Sequence, residues 1–277
     1  MTATITEPGI YDGISNKDYH AHPALGSTSL KTLATRTPAH YQWDRTNPKT
    51  TDAFTLGTAA HSLILENDTS GIEVVAADSW LTKAAKEAKA EALAAGKQPL
   101  LIKEMAQVVA MRDAVMNHPE ASKLFAGHRA EASVFWEENG QQLKCRPDAW
   151  LPDKLVDLKT TINADPREFG KTTHNYGYHQ SNAHYIDGVK HVTGEELPFI
   201  FVLLEKQPPY LVSVVQLDWE AIELGRALND RAKRIHAECT ATGNWPGYPA
   251  TDPIELPTFA VYQTEDLLGI NSQEINL

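Results

Sequence analysis

The sequence is poor in cysteine. Cys145 and Cys239 show no C-x-x-C spacing and cannot form a disulfide framework, so a reducing cytosol is the simplest setting. It is also short of basic residues. Lys and Arg number 25 against 36 Asp and Glu, a formal charge of −11, so the mean field repels nucleic acid. A local basic groove or bound cations can override that mean, and carboxylates gathered at a metal inflate the acidic count. No apolar run approaches membrane-spanning length. Met1-Thr2-Ala3-Thr4-Ile5 has neither a basic n-region nor an apolar h-region, so no secretory signal is expected. Internal repeats and low-complexity blocks are absent too. What is present is ordinary globular composition, 42% hydrophobic and 22% charged over 277 residues, which suits one domain spanning 1–277.

Residues 1–26 are rich in turn formers and read as an extended arm. Ser27, Thr28 and Ser29 offer caps for a helix running to about Trp43, broken at Pro38. Asn47-Pro48-Lys49 reads as a loop, and 56–65 as a helix with small residues on one side. Ile72 to Ala76 can form a short strand. Residues 82–95 read as an exposed helix ended by Gly96, and 99–117 as an amphipathic helix. The stretch 27–125 is therefore a mainly helical region. Residues 130–240 change character. Strands are expected at 130–136, 142–151 and 154–159, the first two joined by a primed Asn139-Gly140 turn. A long helix follows from Asp165-Pro166 to about His191, interrupted by Gly170 and Gly177. Strands at 198–205 and 210–217 and a helix over 218–240 complete the core. The proline- and glycine-rich stretch 243–277 reads as an irregular tail. The expected class is α/β (α+β), a mixed central sheet of about five strands flanked by helices.

Asp148, Asp157 and Lys159 carry the most chemistry. Pro147-Asp148 precedes a turn, and the apolar run after it ends in Asp157-Leu158-Lys159. Residues two apart on a strand share a face, so Asp157 and Lys159 point together. Hard carboxylate oxygens suit Mg²⁺ or Mn²⁺. The main-chain carbonyl of Leu158 can add a third oxygen. Lys159 can orient a water or stabilise developing charge. Such a cradle suits hydrolysis of a phosphodiester.

Other candidates admit two readings each. Glu131 can bind a cation directly or through water, or be an edge-strand glutamate. His61, in Gly57-Thr58-Ala59-Ala60-His61, can be a hydrogen-bonded core histidine or a metal ligand better suited to Mn²⁺. Gln180 can hold a water or a phosphate oxygen, or be an exposed helix residue. Arg36 suits a phosphate but also an ordinary surface. Tyr176, Tyr178 and Tyr185 recur at helical spacing, which fits a core stripe as well as a base-stacking platform.

At these residues the chain resembles the PD-(D/E)-x-K nuclease superfamily, and within it the exodeoxyribonuclease VIII (RecE-type) nuclease domain of phage recombination. Ile14 to His20 resembles its opening segment, and Ser29-Leu30-Lys31 through Tyr41 its first helix. Gly57 to His61 resembles its Gly-x-x-x-His motif. Glu131, Arg146-Pro147-Asp148, Asp157-Leu158-Lys159-Thr160-Thr161 and Tyr178-His179-Gln180…His184-Tyr185 follow in order. The resemblance covers roughly residues 10 to 240. It implies a restriction-endonuclease-like core. It also implies an ATP-independent 5′→3′ exonuclease on linear double-stranded DNA that leaves 3′ single-stranded tails for an annealing protein. The resemblance further implies a ring-like homo-oligomer in the cytoplasm, that of the host if the gene is a phage's. Metal would be held by His61, Asp148, Asp157 and the Leu158 carbonyl. Lys159 and Gln180 would assist the water, and Glu131 a second metal position. Arg36 and Tyr176 would contact DNA or its 5′ phosphate.

Overall fold

A computed structural model of the chain describes residues 7–47, 56–250 and 253–270. It divides into two compact units, Met1–Trp245 and Pro246–Leu277. The second unit is not wholly irregular. Prolines 246, 249, 253 and 257 crowd its start, but the run after Pro257 has neither Pro nor Gly until Gly269. A helix, Thr258–Leu268, forms there and ends on Gly269 in the left-handed conformation.

In the first unit the arm is structured. It carries β1 (Gly9–Tyr11) and α1 (Asn16–Ala21), capped by the Ser15 side chain. Then come α2 (Ser27–Thr35), α3 (Pro38–Thr46), α4 (Leu56–Leu65), β2 (Ile72–Val75), α5 (Lys83–Ala94), β3 (Gln98–Leu101), α6 (Ile102–Asn117) and α7 (Ala121–Leu124). Gly26, not a serine or threonine side chain, opens α2. Pro38 splits the first expected helix by starting α3 at its first turn, with Thr37 capping. Pro48 and Lys49 of the expected loop lie outside the described residues. The helix expected over 99–117 begins at Ile102, because Gln98–Leu101 pairs in parallel with Ile72–Val75.

The remaining elements are β4 (Arg129–Ala130), β5 (Ser133–Glu138), β6 (Gln141–Cys145), β7 (Ala149–Leu151), β8 (Lys154–Thr161), α8 (Pro166–Tyr176), α9 (Tyr178–Thr193), β9 (Phe199–Glu205), β10 (Val212–Val215) and α10 (Trp219–Thr242). A mixed five-stranded sheet has the order β10-β9-β8-β7-β4, with β8 and β9 parallel and the other pairs antiparallel. A second sheet, β1-β5-β6, holds the hairpin turned by Asn139 and Gly140, both at positive φ. Two expected strands are thus each broken in two. The first passes from β4 to β5 through Glu131, and the second from β6 to β7 through Arg146, Pro147 and Asp148. Both breaks carry the chain from one sheet to the other.

The large sheet is buried on both faces. Leu155, Phe199, Phe201 and Leu203 share one core with α2, α8, α9 and α10. Val156, Leu158, Ile200, Val202 and Leu204 share the other with α4 and α6. Gly177, at φ 68, separates α8 from α9, where one interrupted helix was expected. Helices α9 and α10 approach closely. A Cβ at Gly225 would lie 2.2 Å from the His179 carbonyl oxygen.

Candidate active site

The site forms where a strand ladder ends. β7 pairs with β8 as far as Ala149↔Val156. Pro147 has no N–H and cannot extend that edge. Side chains satisfy the next main-chain groups of β8. The Leu158 N–H donates to Asp148 Oδ2 at 2.6 Å, and His61 Nε2–H donates to the Leu158 carbonyl at 2.6 Å. His61 reaches in from α4, and its Nε2 is also 3.8 Å from Asp148 Oδ2.

Glu131 arrives at the other sheet crossing. Its φ of 51 is uncommon for a residue with a Cβ, and such outliers gather at functional sites. Its N–H donates to the Asp148 carbonyl at 3.1 Å. One ligand atom from each of His61, Glu131 and Asp148 lies within 4.8 Å of the others. A cleft of about 620 Å³ opens beside them, lined among others by Asn16, His61, Glu66, Glu131 and Lys159.

Asp157 is only 4% exposed, and its Oδ2 is 2.5 Å from Lys159 Nζ. The Lys159 side chain keeps 28% of its surface exposed and reaches the cleft. The shared strand face therefore yields an ion pair, with the carboxylate buried and the lysine side chain partly exposed at the cleft.

Electrostatics mark the cluster as short of positive charge. Burial first, then the charges of Asp148, Glu66 and Asp157, push Glu131 up to about 8 against the opposing pull of Arg146. Burial raises Asp157 to about 6; Lys159 resists and Asp148 adds to the shift. Burial pulls Lys159 down, but Asp157 and Asp148 outweigh it and hold the ammonium charged. Carboxylates that repel one another in a partly dry site are what a divalent cation relieves. The donor set fits one: carboxylate oxygens, a main-chain carbonyl and an imidazole.

Arg146 braces this arrangement. It is 7% exposed and lies 3.7 Å from Glu131. Its guanidinium donates to Ser133 Oγ, Asn16 Oδ1 and the Ile14 carbonyl, at 2.8, 2.8 and 2.9 Å. It also lies 4.0 Å from the Tyr19 ring centroid. The N-terminal segment expected to be an arm is thereby tied into the cleft wall.

A family model described as a PDDEXK-like domain of unknown function (DUF3799) matches residues 27–252. The chain belongs to that family. Among solved structures, an exonuclease candidate from Eubacterium rectale is similar to this DUF3799 chain at TM-score 0.59 and 16% identity, over 92% of this chain and 98% of the other. SSO0001 is similar at TM-score 0.34 and 11% identity, over 86% of this chain and 82% of the other. No curated protein matches. The fold is PDDEXK-like, with a five-stranded mixed sheet, and PDDEXK nucleases generally depend on divalent metals.

In this DUF3799 chain His61, Glu131, Asp148, the Leu158 carbonyl and the Asp157–Lys159 pair come together. Three sequence candidates make other contacts or stand exposed. Gln180 is 1% exposed and lies beneath the Gly177 turn, where its Nε2 donates to Asn229 Oδ1 at 3.3 Å. The surface reading of Gln180 is overturned, because packing of α9 on α10 turns it inward. Arg36 follows α2 at an exposed position, 3.8 Å from Asp44. Tyr176 is exposed and does not line the cleft. Sequence reasoning gave no role to Arg146, Asn16 or Glu66. Arg146 stands two residues before Asp148, the one hint in the sequence of a shared site.

Proposed function

We propose that this chain is a divalent-cation-dependent, ATP-independent 5′→3′ exonuclease acting on linear double-stranded DNA. The observation that carries the reading is the convergence of His61, Glu131 and Asp148 beside a cleft that the Lys159 ammonium also lines. His61, Asp148, Asp157 and the Leu158 carbonyl would hold Mg²⁺, with Mn²⁺ as a substitute, and Glu131 would serve a second position. Such a cation acidifies a water and neutralises charge building on a phosphate. Lys159, held charged by Asp157, orients the water and faces the same developing charge. Arg146 keeps Glu131 in place while the N-terminal segment walls the cleft.

Polarity, substrate and setting rest on the resemblance to RecE-type nucleases. They include a 3′ tail passed to a single-strand annealing protein, a ring-like homo-oligomer around DNA, and action in the cytoplasm. Arg36 would receive the 5′ phosphate, and Gln180 would assist the water after a shift from its place against Asn229. Digestion of linear duplex labelled separately at its 5′ and 3′ ends, in Mg²⁺, Mn²⁺ and EDTA, tests the proposal. Metal-dependent release of 5′ label as mononucleotides, with the 3′ label retained, is expected. Cutting of closed circular DNA, or attack on single strands alone, would point to another nuclease of this fold. Intact strands in both metals would refute nuclease activity.

A further inference from the structure

Two tyrosine rings lead from solvent toward Lys159. The Tyr178 ring centroid lies 5.2 Å from Lys159 Nζ. Tyr178 is wedged near Phe169 and Phe201, at centroid distances of 6.0 and 5.9 Å. Tyr176 stacks on Tyr178, at a centroid distance of 5.6 Å and an interplanar angle of 18°. Tyr176 is nevertheless 59% exposed.

The stack is built rather than incidental. Gly177 lies between the rings at φ 68, a backbone state that costs glycine little. A Cβ there would fall 2.7 Å from Lys31 Cδ. Lys31 Nζ in turn donates to the Tyr176 carbonyl at 3.1 Å. The turn is thus pinned from α2, and Tyr178 fixes the plane of Tyr176. Together the two spacings put the Tyr176 ring within about 11 Å of Lys159 Nζ. At roughly 3.4 Å per stacked base, that is about three nucleotide steps.

We propose that the exposed ring of Tyr176 stacks on an unpaired base of the strand being cut. This rests on the phosphodiester reading above and adds how the strand is held. Inside a duplex both faces of a base are covered by its neighbours, so the ring can receive only a terminal or frayed nucleotide. Stacking tolerates any base, because each has a π-face, and so suits an enzyme that removes successive nucleotides. A preoriented ring also loses little freedom on binding.

The test is a binding cycle without turnover. Full-length wild type, Tyr176→Ala and Tyr176→Phe are titrated in Ca²⁺ with frayed-end duplexes. An abasic residue is placed in turn at each of the first few nucleotides. At one position the abasic substitution should weaken wild-type binding about 10- to 100-fold, the range of base–aromatic stacking. Tyr176→Ala should lose the same factor on intact DNA and nothing further on that abasic duplex, while Tyr176→Phe keeps wild-type affinity. Equal losses for Tyr176→Ala on all duplexes, wild-type affinity in Tyr176→Ala, or no DNA binding at all would overturn the proposal. Cleavage with an uncoupled cycle refutes the stacking alone. A coupled cycle without cleavage in Mg²⁺ or Mn²⁺ refutes the nuclease reading and leaves the stacking standing.

Discussion

Replacing Asp148 with Asn should separate the cation site from the fold. Asn keeps an oxygen that can accept the Leu158 N–H, so the β8 edge stays satisfied, but it removes one negative charge from the cluster. In the wild type, a cation at 100 times its Kd should stabilise the folded state by about 2.7 kcal/mol. A unit of this size shifts by about 2 °C per kcal/mol, so Mn²⁺ should raise Tm by about 5 °C. Asp148→Asn should lose most of that rise while its metal-free Tm holds or increases. The increment should also depend on pH. Glu131 titrates at about 8 when folded against an ordinary 4.5, and Asp157 at about 6 against 3.8. Both values are raised by folding. Their contribution to metal-free stability is therefore complete below about pH 4 and is lost as pH rises through about 6 and then about 8. Cation binding competes with those protons, so the Mn²⁺-induced rise should be larger at pH 8 than at pH 6. Scanning fluorimetry of both proteins at the two pH values, with Mn²⁺ or EDTA, reads it. An equal rise in both proteins, or a rise that shrinks with pH, would refute the assignment.

Lys159→Met should lower the DNA cleavage rate about 10²- to 10³-fold while keeping the Mn²⁺-induced Tm shift, because it removes charge stabilisation rather than a ligand. Arg146→Met should destabilise the protein by about 3 kcal/mol in urea unfolding, since it leaves Ser133 Oγ, Asn16 Oδ1 and the Ile14 carbonyl without their donor. Gly225→Ala should cost about 1–3 kcal/mol or more in the same assay, because the added methyl meets main chain rather than a movable side chain.

Much of this architecture was legible as local chemistry. Asp165 and Asp218 cap α8 and α10 through their side chains. Thr82 caps α5, and Asn139-Gly140 turns the hairpin. The two-residue period placed Asp157 and Lys159 on one face before any fold was known. What escaped depends on distant pairing. Ala130 to Trp136 reads as one strand because an apolar run does not reveal where its hydrogen-bond partner changes. The crossing at Glu131 is set by Asp148, seventeen positions on. Arg146 was missed as a brace because its partners lie at Ile14, Asn16 and Ser133. Gln180 is buried rather than exposed, since helical period alone does not say that α10 covers that face.

The proposed activity is DNA cleavage by the Asp148–Asp157 cluster with the help of a divalent cation. Incubating end-labelled linear duplex with wild type and with Asp157→Asn, in Mn²⁺ and in EDTA, tests it most directly. Loss of the labelled strand is expected with wild type in Mn²⁺ alone. Degradation by Asp157→Asn at the wild-type rate, or by wild type in EDTA, would contradict it.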